Sequence, residues 1–112
     1  MSDSSQKHAD RRAYPRTKVC VPTELQLANG ENLMREQTSD LSLGGCYVKT
    51  IATIPVGTRL GVSLWLGEDK VTISAMVVTC HPEVGNGIQF LAMLPRDRNR
   101  VRSFLESRRV SD

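Results

Sequence analysis

The sequence predicts a mainly β fold: a six-stranded antiparallel β-barrel with a C-terminal α-helix and a flexible N-terminal arm. Two observations lead to this prediction. Short segments that alternate apolar and polar residues recur along the middle of the chain, separated by turn-forming residues, which is typical of a small antiparallel barrel. The last segment changes to the i, i+3, i+4 spacing of a helix that packs through one face.

The 112 residues have room for one domain and little more. The polar stretch 1–10 predicts a disordered leader, and residues 11–112 form a single predicted domain. Within that domain we expect an arm over 11–18, the barrel over 19–94 and the helix over 95–109.

The strands are predicted from a period of two in the apolar residues. In the first strand, Val21 and Leu25 share a face with Thr23 between them. The longest strand also carries apolar residues on its second face, at Met76 and Val78, which suggests that part of it is covered on both sides. The predicted strands are, in order, about 19–27, 34–38, 46–50, 59–66, 70–80 and 87–90.

Two prolines mark the ends of the barrel. Pro15 biases Tyr14 away from helical geometry, so the arm is predicted to be extended or a turn. Pro95 opens the helix, a position that proline often takes. The apolar stripe of this helix runs from Val101 to Leu105, and we expect it to pack beside the barrel or to cover one end.

The basic residues are concentrated at the two ends of the chain. The net charge is +3, with five of the fifteen Lys and Arg residues between Lys7 and Lys18 and six between Arg96 and Arg109. Basic ends indicate an anionic partner without identifying it. Only 4% of the residues are aromatic, which argues against a stacking platform for single-stranded nucleic acid. Nucleic acid is therefore the less favoured partner.

The sequence offers no metal site and no membrane segment. Cys20, Cys46 and Cys80 are widely spaced in strand-like, apolar segments, which predicts small buried reduced thiols. His8 and His81 have no candidate ligands near them in sequence. No apolar run approaches the roughly 20 residues that span a bilayer, and the leader lacks the apolar stretch of a signal peptide, so we expect a cytoplasmic protein.

Two motifs stand out, RRAYPR over 11–16 and DLSLGG over 40–45. Together they resemble the PilZ family of bacterial cyclic di-GMP (c-di-GMP) receptors, which carries an RxxxR motif in an N-terminal arm and a D/N-x-S-x-x-G motif between two strands. The order and the spacing agree, and the run GNGIQF over 85–90 is similar to the final glycine-rich strand of that family. Arg12 and Arg16 match the first motif. The residues that match the second are Asp40, Ser42 and Gly45.

The resemblance implies a binding protein without catalysis. It implies a receptor that binds c-di-GMP as a ligand, changes conformation and signals to a partner protein. The sequence agrees, since it places no nucleophile beside a base and has no Walker-type phosphate loop. The ligand-binding residues that the resemblance implies are Arg11, Arg12, Arg16, Asp40, Ser42, Gly44 and Gly45.

The chemistry of these residue types suits a guanine dinucleotide. A guanidinium can bond O6 and N7 of guanine, bond a phosphate through two parallel hydrogen bonds, or stack on a purine, and lysine does none of these as well. An ionised Asp40 accepts hydrogen bonds only, so it would select the N1–H and N2–H₂ donors of guanine over adenine. Ser42 can donate to a phosphate or a ring nitrogen, and the two glycines, at 44 and 45, are expected to admit the ligand closely and to take positive φ.

Each of these assignments has an alternative. Arg12 and Arg16 are also compatible with solvated charges on a tail, and Asp40 and Ser42 with simple turn formers. Tyr14 could stack on a guanine or pack on the barrel. An alternative for the whole protein is a PilZ-like protein–protein adaptor that does not bind nucleotide. Whether one ligand molecule binds or a stacked pair is also left open by the sequence.

Overall fold

The structure is a computed structural model that describes residues 14–28, 30 and 33–110, without the side chains of residues 109 and 110. The predicted leader over 1–10 lies outside the described residues. So do Arg11 and Arg12, the first two residues of the predicted binding site.

Six antiparallel strands close into a barrel, and one helix follows them. The order around the barrel is β1-β2-β3-β6-β5-β4, which confirms the predicted fold. The elements are β1 (Pro22–Leu27), β2 (Leu33–Leu41), β3 (Gly45–Lys49), β4 (Arg59–Leu66), β5 (Asp69–His81), β6 (Gly85–Met93) and α1 (Pro95–Val110).

The core fills the inside of the barrel with the apolar residues that alternate along the strands. Leu25, Val62 and Val77 are fully buried there. Val101 and Leu105 of α1 belong to the same buried cluster, and the helix packs against β4 and β5. The apolar stripe of the helix therefore does what its spacing predicts, which is to extend the core of the barrel.

The predicted first strand starts too early. Residues 14–21 lie outside the named strands, although Thr17 forms an isolated bridge with Leu41 of β2. The side chain of Thr38 in β2 also binds the backbone of this segment. The Thr38 hydroxyl donates to the carbonyl oxygen of Val19 at 2.6 Å and accepts from the backbone N–H of Val21 at 3.0 Å. Val21 is nonetheless buried in the core, as its position in the alternation predicts.

Three other strands are longer than predicted, β5 by one residue at each end and β2 and β6 by more. β2 continues to Leu41 and β6 begins at Gly85, whereas the predicted strands end at about residue 38 and begin at about residue 87. In β2 the ladder continues past a bulge. In β6 the glycine-rich segment pairs with β3 and β5. Its glycines suggest a loop, but the two neighbouring strands supply hydrogen-bond partners that cannot be read from the local sequence.

A buried asparagine fixes the connection between β3 and β4. The Asn86 amide donates to the carbonyl oxygens of Ile54 at 2.8 Å and Thr79 at 3.2 Å, and its oxygen accepts from the N–H of Ile54 at 2.8 Å. Asn86 is fully buried, so these bonds offset its desolvation. They anchor the segment between β3 and β4 at Ile54, beside the start of β6.

The three cysteines are free thiols in different surroundings. Cys46 is buried and Cys80 is half-buried, but Cys20 is exposed, so the prediction that each is buried is wrong for Cys20, which precedes β1 and lies outside the ladder. Burial, reinforced by the nearby charge of Asp40, raises the pKa of the Cys46 thiol from 9.0 to about 12. Among residues 14–28, 30 and 33–110, no helix is long and apolar enough to cross a membrane.

Candidate functional site

An open groove of about 1010 Å³ lies on the outside of the barrel. Its walls come from the arm (residues 14–18), the β2–β3 loop (residues 42–44), the strands β3, β5 and β6, and the first turn of α1. This volume is at the upper end of the range of roughly 300–1,000 Å³ typical of small-molecule sites. The groove therefore has room for a ligand of several rings.

A β-bulge directs Asp40 to the outside of the barrel. Thr38 pairs with Val48 and Asp40 pairs with Tyr47, so Ser39 is an extra residue in β2. Because one extra residue reverses the alternation, Leu41 is buried in the core and Asp40 points away from it. The bulge thus positions the first residue of the DLSLGG motif.

The Asp40 carboxylate is only partly satisfied by the described residues. Its Oδ2 lies 3.7 Å from Nη1 of Arg16, and its Oδ1 is buried with no hydrogen-bond partner among the residues that the structure describes. Arg16 lines the groove, so this carboxylate lies at the edge of the groove. A buried acceptor without a donor is costly, and a ligand with N–H groups would relieve that cost.

Ser42 organises the loop that follows. Its Oγ accepts from the backbone N–H groups of Gly44 at 3.0 Å and Gly45 at 3.1 Å, and its own N–H donates to the carbonyl oxygen of Gly45 at 2.8 Å. Ser42 is buried. A short side chain that can accept two N–H groups is what this tight loop needs, so Ser42 has a structural role here besides the ligand contact predicted for it.

Gly44 and Gly45 are needed for a different reason from the one expected. Neither is among the described glycines with positive φ, so the expectation of left-handed backbone is wrong for both. A β-carbon on Gly45 would overlap the carbonyl oxygen of Ile88, and one on Gly44 would lie 3.0 Å from Cδ2 of Tyr14. The two glycines serve close packing, of β3 against β6 and of the arm against the loop.

The described part of the arm lies against this loop. Thr17 and Leu41 exchange two backbone hydrogen bonds of 2.9 Å each. One side of the Tyr14 ring packs on Gly44, and the guanidinium of Arg98 from α1 lies 5.7 Å from the ring centroid. Packing is thus the observed role of Tyr14. Its side chain also lines the groove and is 40% exposed, so stacking on a base stays a prediction.

Sequence reasoning missed Tyr47 and His81, which meet at the groove. The Tyr47 hydroxyl lies 2.8 Å from Nδ1 of His81, and both residues line the groove. The Tyr47 ring crosses β6 over two glycines, since a β-carbon on Gly85 would lie 2.7 Å from its Cε2 and one on Gly87 would lie 3.8 Å from its Cδ1. The signal was the glycine-rich run at 85–87, whose missing side chains leave room for a ring.

Two apolar residues on the groove wall were also missed as site residues. Val78 is the extra residue of a bulge in β5, and Leu91 is the extra residue of a bulge in β6. Each is 43% exposed and lines the groove. The prediction that both faces of β5 are buried in this part of the strand is therefore wrong at Val78. Met76, on the same face, is half-buried. No local sequence signal marks a bulge, because it is defined by the pairing of two strands.

The structure thus brings most of the predicted site together. The predicted residues that meet at the groove are Arg16, Asp40, Ser42, Gly44 and Gly45. The groove lining includes the cations Arg16 and Arg98 and no Asp or Glu among the described residues, although Arg16 pairs with Asp40 at the edge of the groove. An anionic ligand is therefore favoured there.

Solved structures of known proteins share this fold. Bacillus subtilis MotI/DgrA, an inhibitor of motility, gives a TM-score of 0.79 at 18% identity, covering 91% of this chain and 52% of that protein. The K. pneumonia MrkH–c-di-GMP complex gives 0.76 at 22% identity, covering 90% of this chain and 53% of MrkH. The PilZ domain of Escherichia coli YcgR with c-di-GMP gives 0.67 at 18% identity, covering 90% of this chain and 96% of that domain.

At these identities the likeness establishes the fold alone. The chain spans about half the length of MotI/DgrA and of MrkH, and no curated protein sequence matches it. The sequence pattern of the PilZ domain, however, matches residues 10–107, a span that includes both motifs and every element of the barrel. The chain therefore belongs to the PilZ domain family.

Proposed function

We propose that this chain is a receptor that binds c-di-GMP in the groove. The observation that carries the proposal is the meeting of Arg16 and Asp40 at the edge of the groove, 3.7 Å apart, with the second carboxylate oxygen lacking a donor among the described residues. Membership of the PilZ family supports it. So does the presence of c-di-GMP in the MrkH and YcgR structures that share the fold.

The arginines of the arm would bind the phosphates and the guanine O6/N7 edge. The Arg16 side chain is 70% exposed, so it is free to turn from Asp40 to a ligand at little cost, because an exposed ion pair is worth about 1 kcal/mol or less. Arg12 is proposed to act with it, and Arg11 to contact phosphate. A guanidinium suits both groups because it forms two parallel hydrogen bonds.

Asp40 would read the opposite edge of a guanine. Its Oδ1 needs a donor, and the N1–H and N2–H₂ groups of guanine supply two, whereas adenine has no donors in that arrangement. This acceptor-only carboxylate would therefore make the groove selective for guanine. Ser42, Gly44 and Gly45 would hold the loop in the shape that the ligand meets.

The receptor would act through another protein. Binding would close the arginines of the arm over the ligand, and the arm, the β2–β3 loop and the ligand would then form a combined surface for a downstream partner in the bacterial cytoplasm. No enzymatic activity is part of this proposal.

Isothermal titration calorimetry with c-di-GMP tests the proposal. Separate titrations with cyclic di-AMP and with GTP are the controls for specificity. We expect micromolar or tighter binding of c-di-GMP alone, and the fitted stoichiometry distinguishes one molecule from a stacked pair. Arg12→Ala and Arg16→Ala should each cost about 2 kcal/mol, or about thirtyfold in affinity.

Arg35→Ala is the matched control for these variants. Arg35 is 79% exposed and pairs with Glu24 at 3.2 Å on the outer face of β2, but it does not line the groove. Its substitution should leave the affinity unchanged. If the folded protein binds no c-di-GMP, the receptor proposal is wrong, and the adaptor that recognises only proteins becomes the alternative to pursue.

A further inference from the structure

Arg98 is a cation of the groove that neither motif includes. It belongs to the first turn of α1, is half-buried and lines the groove. Its guanidinium lies over the ring of Tyr14 at 5.7 Å. No carboxylate among the described residues pairs with it, whereas its neighbour Arg100 pairs with Asp97 at 3.5 Å.

The contact with Tyr14 orients the Arg98 side chain without occupying its donors. A guanidinium over an aromatic ring is attracted to the ring face, and its five N–H groups stay available in the plane. The Tyr14 ring in turn packs on Gly44. Arg98 is therefore held at the groove with its hydrogen-bonding capacity unused by any described acid.

Arg16 and Arg98 reach the groove from different elements, the arm and the helix, with Tyr14 belonging to the same wall. A cyclic dinucleotide carries two phosphate charges on opposite sides of its ring. Cations from two elements can each meet one phosphate. Arg98 is the one that no described carboxylate neutralises, whereas Arg16 pairs with Asp40.

We propose that Arg98 is a phosphate-binding residue of the groove, supplied by the C-terminal helix. The inference rests on the proposed c-di-GMP function and adds a residue to that site. It gives the basic helix a direct role in ligand binding, in which the helix and the arm hold the same ligand.

Calorimetric titration of Arg98→Ala with c-di-GMP tests the inference. We expect an affinity about tenfold or more below that of the unmodified protein, as for loss of a charge-assisted hydrogen bond. Arg98→Lys should recover part of this loss, because lysine keeps the charge but not the two parallel donors. Arg96→Ala is the matched control, since Arg96 is an exposed arginine of the same helix that does not line the groove, and it should bind normally.

A double-mutant cycle with Tyr14→Ala separates direct binding from positioning. If Arg98 contacts phosphate, Arg98→Ala still weakens binding in the Tyr14→Ala background, by a smaller factor than in the unmodified protein because the ring no longer orients the guanidinium. If Arg98 acts only by holding Tyr14, the second substitution has no further effect, and the inference is overturned.

The two proposals fail in distinguishable ways. If the unmodified protein does not bind c-di-GMP, the proposed function itself fails and Arg98 with it. If the unmodified protein binds and Arg16→Ala weakens binding while Arg98→Ala matches Arg96→Ala, only the role of Arg98 is refuted. Thermal unfolding of each variant, expected to match the unmodified protein, ensures that a loss of affinity is not a loss of fold.

Discussion

Gly45 lies so close to the carbonyl oxygen of Ile88 on the neighbouring strand that a β-carbon at Gly45 would overlap this oxygen. The last glycine of the DLSLGG motif is therefore required by the packing of β3 on β6. The oxygen belongs to the backbone of a paired strand, so it cannot move aside as a flexible side chain could. This relationship leads to the first prediction.

Gly45→Ala should lower the free energy of unfolding by about 1–3 kcal/mol, the usual cost of overpacking. Gly61→Ala is the control, because Gly61 is also a strand glycine and its nearest neighbour atom would lie 4.0 Å from a new β-carbon. That variant should change stability by about 0.5 kcal/mol or less. Urea unfolding followed by circular dichroism measures both, and equal effects would contradict the packing role of Gly45.

Asp40→Ala should abolish ligand-induced stabilisation while changing the free protein little. The Asp40 ion pair with the exposed Arg16 is weak, and the substitution removes a buried oxygen that lacks a donor among the described residues. We expect a loss of about 1 kcal/mol or less without ligand. At a c-di-GMP concentration of about 100 Kd, the unmodified protein should gain about 2.7 kcal/mol.

Thermal unfolding with and without c-di-GMP checks this expectation. A large destabilisation of ligand-free Asp40→Ala would show that the carboxylate serves the fold. An undiminished ligand shift would show that it does not contact the ligand.

Ser42→Ala should weaken both the fold and the binding. It removes the acceptor for the N–H groups of Gly44 and Gly45, and the cost of leaving them without a partner is about 1–2 kcal/mol. Ser74→Ala, at an exposed position of β5, should have almost no effect. If unfolding measurements find Ser42→Ala as stable as Ser74→Ala, the loop does not depend on this hydroxyl.

Cys46 should resist alkylation in the native protein. Burial raises the pKa of its thiol from 9.0 to about 12, and the thiolate is the reactive form. At pH 8, iodoacetamide should modify the exposed Cys20 first, and Cys46 only after unfolding in urea. Peptide mapping by mass spectrometry reads out each site, and equal native rates would contradict the burial.

The raised pKa of Cys46 also determines whether the free energy of unfolding rises or falls at alkaline pH. Between about pH 9 and 12 the folded state keeps the Cys46 proton that the unfolded state releases. The contribution of this thiol to the free energy of unfolding therefore falls as the pH rises above 9. Below that range the thiol is protonated in both states and contributes no pH dependence.

The regular strands followed directly from the sequence. The alternation at 59–66 predicts β4 with the bounds that the structure has, Arg59–Leu66, because the side chains of a strand with one buried face must alternate. The helix follows from Pro95 and the apolar stripe for a similar reason. Both signals are local, since each depends on the geometry of a single element.

The bulges were decided by the tertiary structure. Ser39, Val78 and Leu91 are extra residues in their strands, and an extra residue exists only relative to the partner strand. The same is true of the pair formed by Tyr47 and His81, which are 34 residues apart and meet only when β3 and β5 flank β6.

By itself, the sequence determined the barrel, its helix and the residue types of the two motifs, because periodicity and motif order are written along the chain. Only the tertiary structure decided that Asp40 faces out of the barrel, that Gly45 is required by Ile88, and that Arg98 joins the groove. The physical reason is that close packing and charge proximity depend on distances between elements, and closure of the barrel is what sets those distances.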